Sequence, residues 1–225
     1  MRKQNDWKGI FITIEGADGS GKSTVASLLK RYYDEHFTGV LLTREPGGIS
    51  IAEKIRAVIL NPDHTDMDAK TEVLLYAAAR RQHLVEKVIP ALKEGKLVIC
   101  DRFVDSSLSY QGVARGLGIE EVWKINEFAI DDCMPDCTLL FEVDYKIGLR
   151  RIYQNQTREV NRLDLEEEKF HQKVSEGYQM IKSQFPERIQ CINANQSIEV
   201  ITMDCIKIIN QYIKKFGRAG ELHEN

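Results

Sequence analysis

Residues 16–24 read GADGSGKST, set between the apolar run FITIE (11–15) and the amphipathic stretch VASLLKRYYDEH. Gly16, Gly21, Lys22 and Ser23 match the spacing G-x-x-x-x-G-K-[ST]. Glycines at those places let backbone N–H groups turn inward around phosphate oxygens. A helix beginning there adds a field that favours anions. A lysine at position 22 can reach the outer phosphates of a nucleoside triphosphate, and the Ser23 hydroxyl is of the type that ligates Mg²⁺. The whole loop, Gly16, Ala17, Asp18, Gly19, Ser20, Gly21, Lys22, Ser23 and Thr24, is therefore the expected phosphate site of a nucleoside triphosphate. A purely structural glycine turn would not need a strand before it, a helix after it and Lys-Ser at its end.

A phosphate loop alone does not choose a reaction, so a second anion site is needed. The run LVICDRF (97–103) is an apolar strand ending in Asp101, an acid placed to share the Mg²⁺ shell with Ser23. Arg102 follows at the carboxyl end of that strand, where open α/β sheets bind ligands. TREPGG (43–48) puts Arg44 at another strand end before a Pro-Gly turn, and Arg56 lies on the next helix. Glu72, Tyr76 and Arg80 recur at four-residue intervals on one helical face, an arrangement that suits a flat base stacked on a ring and hydrogen-bonded at its edge. The segment RRIYQNQTREVNRLD (150–164) carries Arg150, Arg151, Arg158 and Arg162, a set able to close over a triphosphate. Glu166, Glu167 and Glu168 favour the first turn of the helix that follows. Taken singly, each arginine reads as an ordinary solvated side chain. Beside a phosphate loop they read as a binding site for a second anion.

The elements that must hold these groups are legible in the apolar pattern. Strand-like runs at 11–15, 40–43, 97–100, 137–143 and 189–193 alternate with amphipathic helical stretches. Near-continuous apolar runs fit strands buried on both faces, and long crossovers fit parallel pairing. The expected fold is α/β: a P-loop NTPase fold, with a five-stranded parallel sheet, helices on both faces and a mobile lid. Helices are expected from Ser50, through a Ser50–Glu53 capping box, to Leu60; over 68–94 with a kink at Pro90; over 164–185; and over 197–215.

At 225 residues one domain is expected, with a core of about 9–215, a lid of about 150–164 and a loose polar tail at 217–225. A net charge of −3 argues against a nucleic-acid partner, and no apolar run approaches the ~18 residues of a membrane span. The N-terminus lacks an apolar leader, so a cytoplasmic location is expected. The five scattered cysteines read as buried thiols, and the Cys133/Cys137 spacing lacks the matching pair of a zinc site. No Asn-Lys-x-Asp guanine motif is present, which sets GTPases aside.

GADGSGKST, TREPGG, KTEVLLYAAARRQH, LVICDRFVDSSLSYQG and NRLD occur in one order between residues 10 and about 215. In that combination the chain resembles the bacterial type of the thymidylate kinase family. Deoxynucleoside kinases share the phosphate loop and an acid-Arg motif but not TREPGG with SSLSYQG. The resemblance implies transfer of a phosphoryl group from ATP to dTMP, with Mg²⁺, in a homodimer joined through helices of the 50–94 region. It places Arg44, Arg56 and Arg102 at the acceptor phosphate and sugar, residue 76 on the thymine ring, Arg80, Ser107 and Gln111 at the base edge, and counts Glu45 among the substrate-binding residues. Lys22, Arg102, Asp18 and a lid arginine, Arg158 or Arg162, are the implied catalytic groups, with Arg151 a further possibility. The chain departs from the family at two positions. Tyr76 stands where phenylalanine is common, and Phe103 follows Asp-Arg where tyrosine or histidine is usual.

Overall fold

A computed structural model describes residues 7–154 and 161–216. Five strands form one parallel sheet: β1 (Ile10–Gly16), β2 (Val40–Arg44), β3 (Leu97–Asp101), β4 (Cys137–Glu142) and β5 (Ile189–Asn193), in spatial order β2-β3-β1-β4-β5. β1 is buried along its whole length because it faces helices on both sides. Ile10, Ile12 and Ile14 point to one face, where α1 (Lys22–His36) supplies Val25 and Leu29 and α9 (Ile198–Lys215) supplies Ile201 and Ile209. Phe11 points to the other face, with Val73 from α3 (Ala69–His83), Val122 from α6 (Ile119–Ile130) and Val174 from α8 (Glu168–Gln184). This is the period-2 alternation of a strand with two apolar sides.

After β1 the chain leaves through α1 toward β2. After β3 it leaves on the opposite face through α5 (Val104–Ser107) toward α6 and β4. β1 and β3 are neighbours, with Ile14 opposite Asp101. The crevice at their carboxyl ends is the place where such sheets bind ligands.

Several local readings need correction. α2 (Ser50–Leu60) begins where expected, but Ser50 is its first helical residue, Ile49 holds the cap position, and no side chain caps it. Glu53 instead accepts from the Gly48 N–H at 2.7 Å and from Arg44 at 2.8 Å, so it secures the preceding turn. The 68–94 stretch breaks into α3, a π-helical turn at Leu84–Val88 and α4 (Ile89–Lys93). Pro90 has no N–H to give to the preceding turn, and the widened turn ahead of it accommodates that loss. α7 (Tyr145–Gln154) carries Arg150 and Arg151 on a helix that enters the segment expected as the lid, and Arg162–Leu165 forms a 3₁₀ turn capped by Asn161. Cys191 is exposed, as an outward position on the edge strand β5, while the other four cysteines are buried.

Candidate active site

The phosphate loop wraps the end of β1 and enters α1 at Gly21. Gly19 sits at φ 74° against α7, where a Cβ would come within 2.1 Å of the Gly148 carbonyl oxygen, so no larger residue fits. Lys22, 6% exposed, donates to the Ala17 carbonyl at 2.7 Å and to Ser20 Oγ at 3.2 Å. Burial and the neighbouring Arg102 push its ammonium down to about 8, against the pull of Asp18, Asp101 and Glu15. The free protein therefore sheds this proton as the pH rises through about 8. Bound phosphates favour the charged form, so ATP binding takes up a proton above that pH. The ATP Kd is expected to rise there by up to about tenfold per pH unit. Calorimetric titration with ATP between pH 6.5 and 9.5 checks this, and a flat Kd across the range contradicts it.

Ser23 Oγ donates to Asp101 Oδ2 at 2.5 Å, bringing the hydroxyl and the carboxylate expected at a metal together. One residue on, Arg102 adopts φ 70° and turns back over the loop. Its guanidinium pairs with Asp18 Oδ1 at 2.6 Å and donates to the Gly16 carbonyl and to Ser106 Oγ, both at 3.1 Å. It also lies 5.2 Å over the Tyr110 ring, whose hydroxyl donates to Asp18 Oδ2 at 2.7 Å. Asp18 and Arg102, read separately from sequence, thus form one ion pair at the mouth of the phosphate loop.

A cavity of about 530 Å³ opens beside this pair. Its lining includes Lys22 and Ser23 from the loop together with Arg44, Arg56, Tyr76 and Arg102. Arg44 is held by Glu53, and Arg56 donates to the Pro46 carbonyl at 2.9 Å. Burial and Glu72 push the Tyr76 phenol above its ordinary range, so the ring is neutral. Arg80 is 2% exposed. Its Nε donates to Glu45 Oε2 at 2.7 Å, its two terminal nitrogens share Ser107 Oγ at 3.2 Å, and further bonds reach Asn126 Oδ1 and the Phe103 carbonyl. Gln111, which also lines the cavity, donates to Glu72 Oε1 at 2.7 Å. Phe103 packs edge-on against Phe11, with the Arg80 guanidinium 5.3 Å from its ring, so its side chain serves the wall of the site.

Arg162 is placed otherwise than the lid reading implies. It is buried, donates to the Ile59 carbonyl at 2.8 Å and pairs with Glu72 at 2.5 Å. Its neighbours Asn161 and Leu163 line the cavity and Arg162 itself does not. Arg151 does line the cavity, reaching the Gly19 and Ala194 carbonyls at 3.4 and 3.3 Å. Arg158 lies outside the described residues.

Sequence reasoning missed Tyr110, Ser106, Tyr178 and Glu15. Glu15 is fully buried and accepts from the Phe103 N–H at 2.7 Å, Ser106 Oγ at 2.6 Å and the Tyr178 hydroxyl at 3.0 Å, beneath Arg102. Burial and Asp105 push its carboxyl up to about 7. The signal for Tyr110 was available, since it stands within SSLSYQG. Tyr178 carried none, because only the tertiary fold brings α8 over Arg102.

Comparison with known proteins identifies the family. The family model described as Thymidylate kinase matches residues 14–204. Curated thymidylate kinases from Oceanobacillus iheyensis and Clostridium novyi are 55% and 59% identical, over 94% and 86% of this chain and 94% and 95% of theirs. The crystal structure of thymidylate kinase from Ehrlichia chaffeensis superposes with a TM-score of 0.73 at 32% identity, covering 89% of this chain and 98% of that one. A phosphate loop beside a cavity lined with arginines and matches of this extent lead to one conclusion: the chain belongs to the thymidylate kinase family.

Proposed function

We propose that the chain transfers the γ-phosphoryl group of ATP to dTMP in one in-line step, giving dTDP and ADP. The observation that carries this reading is the cavity in which Lys22 and the Asp18–Arg102 pair meet a second set of cations and an aromatic wall. The acceptor is already a phosphate, largely ionised near neutral pH, so no strong general base is required. The difficulty is bringing two anions together, and fixed positive charge answers it. In this reading Lys22 holds the ATP phosphates, while Arg44, Arg56 and Arg102 hold the acceptor phosphate and sugar. Tyr76 stacks on the base, and Arg80, Ser107 and Gln111 read its edge. Arg158 or Arg151 stabilises the transferring phosphoryl. Arg162 could join them only by leaving Glu72.

The Ser23 hydroxyl and Asp101 carboxylate are the hard oxygen donors that Mg²⁺ prefers. When bound, the ion would neutralise charge between the phosphates. A homodimer also fits: Ile51, Val58, Leu74 and Val85 are large apolar side chains left exposed along 50–88. Sedimentation at twice the chain mass supports it, and a monomer mass opposes it. No helix among the described residues is long and apolar enough to cross a membrane.

The base assignment is tested by initial rates with ATP and dTMP, dUMP, dCMP or GMP. The highest kcat/KM is expected for dTMP, and a higher value for dCMP or GMP overturns the assignment.

A further inference from the structure

His83 closes α3, is wholly buried and lines no part of the cavity, yet both its ring nitrogens are engaged. Nδ1 lies 3.0 Å from Glu45 Oε1, and Nε2 lies 2.7 Å from Thr43 Oγ1. The other Glu45 oxygen accepts from Arg80 at 2.7 Å. A carboxylate paired with a guanidinium is an acceptor, so Nδ1 carries hydrogen and donates to it. Arg80 and His83 stand three residues apart on one face of α3 and grip Glu45 from two sides.

The surrounding backbone locks the ring in place. The Glu45 N–H donates to the Asp101 carbonyl at 3.0 Å, which ties the turn to the end of β3. Gly48, at φ 83°, presses the same turn onto the ring: a Cβ there would meet Thr43 Oγ1 at 2.6 Å and His83 Nε2 at 3.1 Å. His83 is thus the only side chain joining Thr43, at the end of β2, to Glu45 in the turn after it among the described hydrogen bonds.

A metal site is the rival reading, because ligand atoms of Glu45, His83 and Cys100 lie within 4.8 Å of one another. The hydrogen bonding disfavours it. Both ring nitrogens are committed, and Glu45 already carries Arg80. Burial and Glu45 push the Cys100 thiol well up, and it donates to the Arg102 carbonyl. A thiol that keeps its proton is a poor ligand.

We propose that His83 is a positioning residue for base recognition: it holds Glu45, and through Glu45 the Arg80 guanidinium, in the orientation that reads the acceptor base. The inference rests on the assignment of Arg80 to the base edge. Asparagine at 83 keeps an amide nitrogen where Nδ1 stands and can still hold Glu45. Glutamine reaches instead toward Thr43.

The test is steady-state kinetics of R80M, H83L, H83N and H83Q, each checked for folding by thermal melting. R80M, H83L and H83Q should raise KM for the nucleoside monophosphate by roughly tenfold or more, with KM for ATP and kcat within about threefold, and H83N should stay near wild type. The dUMP to dCMP ratio of kcat/KM, which compares substrates differing at the 4-position and N3, should fall roughly tenfold in H83Q and recover in H83N. H83Q performing as well as H83N, or raising KM for ATP as much as for the acceptor, overturns the inference while R80M remains impaired. An unimpaired R80M removes the base-edge assignment and the inference with it. Should H83L fail to fold, the contrast between H83N and H83Q still decides.

Discussion

Arg102→Ala is expected to lower kcat by on the order of 10³-fold or more, the scale of a lost cation at a transferring phosphoryl group. The size follows from what Arg102 touches. Its guanidinium balances Asp18 at 2.6 Å and is anchored by Gly16, Ser106 and Tyr110 on a backbone turn at φ 70°. In the proposed reading, alanine removes the charge facing the acceptor phosphate and also takes from Asp18 its 2.6 Å ion-pair partner beside two anions. The loss should therefore exceed that of one hydrogen bond. Arg102→Lys should recover only part of the rate, because an ammonium cannot span Asp18 and a phosphate with a planar fork. A folded Arg102→Ala enzyme with near-wild-type kcat would falsify this role.

Lys22→Ala should cost a similar factor, on the order of 10³ in kcat, together with weaker ATP binding. Lys22 is buried at the start of α1 with its ammonium turned into the loop, 2.7 Å from the Ala17 carbonyl. A cation already desolvated and aimed inward stabilises charge on the phosphates without reorganising, which is why its removal acts on turnover as well as affinity. The pH dependence of ATP binding gives an internal control. If Lys22 is the group that titrates near pH 8, the rise in Kd above that pH disappears in the variant. Full activity in Lys22→Ala, confirmed folded, contradicts the assignment.

The parts legible in sequence were those fixed by local rules. FITIE-GADGSGKST announces a buried strand, a glycine loop and a helix start in consecutive residues, and all three form as β1, the loop and α1. Asp101 and Arg102 were legible because a strand end beside the loop has few other uses. Arg162 was not, because a charged segment has the same composition whether its arginine meets solvent or a carboxylate 90 residues away in sequence. The π-helical turns at Leu84–Val88 and Leu108–Ala114 leave no periodic mark of their own. His83 and Tyr178 matter through side chains that only the packed fold brings near them. In each case the missing information is tertiary: a partner far along the chain, chosen by burial.

The central claim is that the cavity beside the phosphate loop is built for an acceptor that already carries a phosphate. The most direct measurement compares ADP formation from ATP and Mg²⁺ with dTMP and with thymidine at equal concentrations. The account predicts rapid turnover with dTMP and almost none with thymidine, which would leave Arg44, Arg56 and Arg102 facing no anion. A preference for thymidine would contradict it.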